Sequence, residues 1–136
     1  MRKALAVILV ASVLPNMACG DPVAPPAPTP VAATITDAFT GTLVVGGANS
    51  HLFTVQQVGG VSVTLTSTQP SAALGVGVGT PSGLTCIVAP STTTLLPGIG
   101  GQLVGTATVT GNLCVSVFDP GNLVEPVTYT ITVFHS

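Results

Sequence analysis

Three cysteines, two histidines and four carboxylates are most of the chemistry this 136-residue chain offers. The cysteines are Cys19, Cys86 and Cys114, an odd count. The count resolves if Cys19 is lipidated or removed. Cys86 and Cys114 then remain as a pair in the folded part of an exported chain, which reads as a disulfide. The loop between them is about 28 residues, worth roughly 3–4 kcal/mol of chain entropy. Two free thiols or two metal ligands are the competing readings, but no further ligands at zinc spacing accompany them. Asp119, Asn122 and Glu125 fall in one turn, where their oxygens and nearby carbonyls form a candidate calcium site. The simpler reading is a hairpin in which Asp119 bonds its own backbone and Glu125 is solvated.

His51 and His135 could each act as a general base beside a serine and an aspartate. Ser50 adjoins His51, but neighbours on a strand point to opposite faces. No Gly-x-Ser-x-Gly elbow is present. His135 is the penultimate residue and is expected to fray. No catalytic residues are therefore assigned, and the chain reads as a non-enzyme. Tyr129 and Phe118 could stack on sugars, yet four Phe, one Tyr and no Trp make a poor carbohydrate platform. Core packing suits Tyr129 better, since it shares a face with Ile131.

Charge excludes more. Only 4% of residues are Asp, Glu, Lys or Arg, and the two basic ones are Arg2 and Lys3. Nucleic-acid binding rests on basic residues neutralising phosphates, so it is excluded. An arginine fork, a Schiff-base lysine and a P-loop lysine are excluded with it. The chain is nonetheless 46% hydrophobic, unlike disordered sequences, and has enough apolar surface for a core.

The elements that must position these residues begin after a leader. Arg2 and Lys3 precede an apolar run, Ala4 to Leu14, interrupted only by Ser12. At about 11 residues it is too short to span a bilayer and suits a signal peptide over 1–18. Asn16-Met17-Ala18-Cys19 resembles a lipobox, with cleavage before Cys19 and a lipid on its sulfur. The alternative is ordinary cleavage after Gly20. Residues 19–33 follow as a tether, and five of the nine residues Pro22–Pro30 are proline. Such a stretch is a semi-rigid polyproline spacer. The expected location is the cell envelope, lipid-anchored to the outer membrane or cell surface.

Residues 34–136 alternate with period two between Gly and Pro punctuation, the pattern of strands. Thr36–Val45 reads as a strand closed by Gly46-Gly47-Ala48-Asn49, then His51–Gln57, with a turn at Gly59-Gly60. Val61–Thr66 and Ala73–Gly79 follow. The latter has Leu74, Val76 and Val78 on one face and Gly75, Gly77 and Gly79 on the other. That glycine face admits another backbone or a partner, with packing inside the sandwich the plainer use. Thr80-Pro81-Ser82-Gly83 reads as a turn, Leu84–Val88 as a strand, and Pro90–Gly101 as a loop. Leu103–Thr110, Leu113–Phe118 and the stretch from Val127 to Val133 complete about eight strands. In the seventh, Leu113, Val115 and Val117 face inward, which puts Cys114 on the other side. The fold expected is all-β: a jelly-roll-like antiparallel β-sandwich with threonine in place of charge outside.

Several of these strands together are similar to the bacterial pre-peptidase C-terminal domain family over roughly 36–135. They are Phe39-Thr40-Gly41-Thr42-Leu43, His51-Leu52-Phe53-Thr54-Val55 and Val61-Ser62-Val63-Thr64-Leu65. The Leu74-to-Gly79 strand with Thr80-Pro81-Ser82-Gly83, Cys114-Val115-Ser116-Val117-Phe118-Asp119 and Tyr129-Thr130-Ile131-Thr132-Val133 complete the set. The resemblance implies a jelly-roll-like sandwich found beside secreted proteases, with relatives that bind collagen, polysaccharide or calcium. The chain departs from the family at two points. Only Asp37 stands where calcium-binding relatives carry an acidic cluster, and Leu113 replaces a usual tyrosine.

The functional expectation is a non-catalytic, lipid-anchored binding or adhesion module whose partner is an envelope protein or glycan. Two alternatives are an assembly accessory to a secreted enzyme and a calcium-dependent carbohydrate- or collagen-binding domain. No cofactor is expected apart from that possible calcium.

Overall fold

Branched and threonine-rich segments with two-residue alternation bury one face and hydrate the other, which suits paired sheets. A computed structural model describes residues 23–28, 33–98 and 101–136. The leader over 1–18, Cys19 and most of the tether lie outside the described residues, while 23–28 are exposed and without regular structure. Eight strands follow: β1 (Ile35–Leu43), β2 (Ala48–Val55), β3 (Gly59–Gln69), β4 (Leu74–Ser82), β5 (Thr85–Leu95), β6 (Gln102–Ala107), β7 (Gly111–Phe118) and β8 (Val127–His135). Among the described residues there is no helix.

The strands form two four-stranded sheets, ordered β1-β8-β3-β6 and β2-β7-β4-β5, with antiparallel pairing throughout. This interleaving is the jelly roll, as the sequence led us to expect. Inner faces meet in one core. Val63, Leu65, Ile131 and Val133 from the first sheet face Val76, Val115 and Val117 from the second, all fully buried. The outer face of the first sheet carries threonine. Thr42 pairs with Thr128 and Thr66 with Thr132 through their hydroxyls, at 3.5 and 3.1 Å. Such cross-strand pairs add a few tenths of a kcal/mol each while hydrating a chargeless surface.

Several boundaries differ from the expected ones. Ala48 and Asn49 already belong to β2, pairing with Phe118 and Val117. Gly59 and Gly60 pair with Ala107 and Thr106, so the turn lies before them, over 56–58. Thr80-Pro81-Ser82 continues β4. Proline is tolerated there because the β4–β7 ladder ends at Gly79. The expected loop after Pro90 is strand as far as Leu95, since β5 is an edge strand and Pro90 sits in its bulge. The strand β6 stops at Ala107, short of Thr110. His135 does not fray. It pairs with Ile35 and is 1% exposed.

The glycine face of β4 is filled by the chain itself. The ring of Phe118 lies over Gly75, the side chain of Val88 over Gly77 and the backbone of Ile87 over Gly79. The first half of β5 therefore folds across the outside of the second sheet. This brings Cys86 to Cys114, and they are disulfide-bonded, with Cα atoms 5.8 Å apart and a sequence separation of 28. Cys114 faces outward from the core, as the alternation required, yet is fully buried beneath this cover.

Candidate functional site

Strand alternation places the loops β1–β2, β3–β4, β5–β6 and β7–β8 at one end of the sandwich. Ile35 and Ser136 lie at the other. Asp119 organises the loop end. Its Oδ1 accepts from the amides of Gly121, Asn122 and Leu123 at 2.7, 3.0 and 3.2 Å. Its Oδ2 accepts from Gly46 of the β1–β2 loop at 2.8 Å, and its own amide donates to the carbonyl of Gly47 at 3.0 Å. The Gly46 amide leads these donors in holding the carboxyl below its ordinary pKa. Asn122 donates through Nδ2 to the carbonyl of Ala73, tying in the β3–β4 loop at 3.2 Å.

Of the proposed calcium ligands, Asp119 and Asn122 thus serve as braces, both bonded to backbone. No group of three or more His, Cys, Asp or Glu placed to hold a metal ion occurs among the described residues. On this braced platform Val44, Val45 and Val124 stand exposed, Val124 at 91%.

The second cluster runs along the side where edge strands β1 and β2 approach each other. Alternation on these strands turns Asp37, Phe39, Asn49, His51 and Phe53 toward the space between the sheets. Asn49 donates through Nδ2 to the carbonyl of Thr42 at 2.9 Å and to the Tyr129 hydroxyl at 3.1 Å. A carbonyl can only accept, so the amide orientation is fixed. The Tyr129 hydroxyl lies 2.8 Å from His51 Nε2, and with its oxygen accepting from Asn49 its own proton is free for that nitrogen. Such a donation requires a neutral His51 with its proton on Nδ1. Burial lowers its pKa, in agreement, and burial raises that of Tyr129 against the opposing pull of Asn49. Phe39 stacks on the His51 ring, with centroids 4.9 Å apart. Tyr129 is buried in the core beside Ile131, as its strand face implied, and its ring covers Gly41.

Further along the same side, His135 Nε2 donates to Asp37 Oδ2 at 3.0 Å, and its ring lies against Phe53. Both histidines thus share one margin, a pairing invisible in sequence because Asp37 and His135 lie 98 positions apart. An open cleft of about 350 Å³ sits here, its lining including Ile35, Asp37, Phe39, Phe53 and His135. Phe118, the other aromatic considered for sugars, is committed to covering Gly75.

Comparison with known proteins gives a fold relative. No protein family and no curated protein matches this chain. Among solved structures, it is similar to PliG of Aeromonas hydrophila, a periplasmic lysozyme inhibitor of g-type lysozyme. The TM-score is 0.53 at 14% identity, covering 72% of this chain and 83% of that one. At this identity the likeness is one of fold alone, in keeping with the two-sheet all-β architecture of this chain.

Proposed function

We propose that this chain is an exported, non-catalytic β-sandwich module that binds a protein of the cell envelope. The observation that carries this reading is the braced loop end. Three exposed valines sit on two loops that Asp119 joins by two hydrogen bonds, one accepted by its carboxylate from Gly46 and one given by its amide to Gly47, while three amides of its own loop bond the same carboxylate. Apolar groups held rigid before contact lose little entropy on docking. Val58, Leu84 and Val109 are exposed at the opposite end, but the Asp119 brace is absent there.

Export is supported by the Cys86–Cys114 bond, which persists in oxidising compartments. The apolar leader supports it too, and lipidation at Cys19 belongs to the same proposal. The fold relative is itself a periplasmic protein named for inhibiting an enzyme. That favours a protein over a glycan as partner. The strand pattern shared with pre-peptidase C-terminal domains is compatible with the same role beside a secreted enzyme.

The test is affinity capture from an envelope extract with the native protein and with Val45→Ser/Val124→Ser. A stoichiometric protein retained by the first and lost by the second is the expected result. Retention of glycan alone, or equal capture by both, would refute the reading. Mass spectrometry of the mature N-terminus decides the anchor: a diacylglyceryl Cys19 supports it, and an unmodified Asp21 start removes it.

A further inference from the structure

Four strands of a jelly roll end at open edges, and an open edge invites another strand unless it is blunted. Here β5 is interrupted by Pro90 and by a register jump between Gly77 and Gly79 of its neighbour. The strand β6 is six residues long and contains Gly105. Along β1, Asp37 turns a charge inward. The edge of β2 has no such device. Its eight residues, Ala48–Val55, contain no charge, glycine or proline, and its register with β7 is unbroken from Ala48↔Phe118 to Val55↔Gly111.

Directly beneath that edge lies the cleft of Asp37. The carboxylate is 38% exposed, and its Oδ2 is taken by His135 while Oδ1 has no partner among the hydrogen bonds of the described residues. Phe39, half-buried and stacked on His51, and Phe53, buried with its ring against His135, line the same cleft. The chain has no Lys or Arg after Lys3, so apart from His135 no strand of the fold brings a basic side chain to this carboxylate. A strand added to β2 would send alternate side chains into the space between the sheets. A cationic side chain there meets a carboxylate with one oxygen unpartnered among the described residues, the setting for a charge-assisted contact.

We propose that the β2 edge and the Asp37 cleft together take an extended, lysine- or arginine-bearing segment of a protein partner. The backbone of that segment pairs with β2, and its inward basic side chain reaches Asp37. A second copy of this fold is the wrong occupant, since none of its strands carries a lysine or arginine. The proposal rests on the reading that the module binds proteins, but it concerns a surface separate from the valine-bearing loops.

The test is a titration of the isotopically labelled protein, followed by amide chemical shifts. The probes are two short capped threonine–serine peptides, one with a central lysine and one with a central glutamine. The lysine peptide should perturb amides of Ala48–Val55 and Ile35–Phe39 and bind about tenfold more tightly, the factor for one charge-assisted bond. Asp37→Asn keeps an acceptor for His135 and should erase the preference, while Asp37→Glu should restore it. An unchanged amide spectrum outside the cleft confirms that both variants fold.

Equal binding of the two peptides, no binding at millimolar concentration, or shifts elsewhere would overturn the proposal. So would a concentration-dependent dimer that protects β2 without peptide. The capture experiment above is independent. A partner held by the loops alone would leave the general reading intact while this one falls.

Discussion

Asp119 shows how one side chain can set a whole surface. Its depressed pKa means that its bonds stabilise the fold above the unfolded carboxylate value, near 4, and are lost as pH falls through the lower folded value. Asp119→Ala should speed hydrogen exchange at Gly46, Gly121 and Leu123 while leaving the amides of β3 and β8 protected. Unchanged exchange at Gly46 would show that the two loops stay together without it. His51 works in the other direction. Its folded pKa lies below the unfolded value near 6.5, so the unfolded chain takes up the proton first. Stability therefore decreases as pH drops from about 7 toward 5. A thermal-melt series should show this decline in the native protein and a flatter one in His51→Gln, whose amide oxygen can still accept from Tyr129. Parallel curves would place the titration elsewhere.

At the scale of strands, glycine position separates two kinds of substitution. A Cβ on Gly79 would overlap the backbone of Ile87, whereas one on Gly105 of β6 meets nothing within 4 Å. Gly79→Ala should cost about 1–3 kcal/mol or more, as overpacking does, and Gly105→Ala should be neutral or slightly stabilising. Denaturant midpoints for the pair decide this, and equal midpoints would mean that β5 does not lie against β4 as described. The same strands show what the sequence could and could not tell. Clean alternation made the middle of β3, Val61–Thr66, and β8 from Val127 to Val133 readable, and the inward set of β7 followed from it, while the ends of β3 at Gly59 and Gln69 were not. The second half of β5 was hidden because Pro90 and the run Ser91–Thr94 look like loop when read locally. They are strand because an edge tolerates a missing donor. The margin of Asp37, His51, Tyr129 and His135 was hidden for another reason. Its members meet only through the register β1↔β8 and the approach of β2. Cys86 and Cys114 were easier, because count and compartment reduce the choices to one pair.

At the scale of the molecule, a sheet sandwich nearly free of charge depends on its cross-link and its core. The bond between Cys86 and Cys114 closes 28 residues, worth roughly 3–4 kcal/mol in the chain-entropy account. Reducing it, or replacing both cysteines with alanine, should lower the unfolding free energy by about that amount. A chemical-denaturation curve measures this, and an unchanged midpoint would show that the cross-link adds little to an already closed fold. The strand β1 runs nine residues from Ile35 to the loop end, roughly 30 Å at 3.3 Å per residue. The valine-bearing loops therefore stand at the far end of β1 from Ile35, whereas the Asp37 cleft lies at the near end.

Ile35 and His135 are opposite each other in the terminal ladder, and Leu43 and Val127 close it at the far end. Tension between the two chain ends thus loads the pairs one after another, like a zip, instead of shearing the whole ladder at once. Pulling should peel β1 from β8 at low force, while the stretch inside the sulfur link stays out of the extension until a reductant releases about 90 Å more contour.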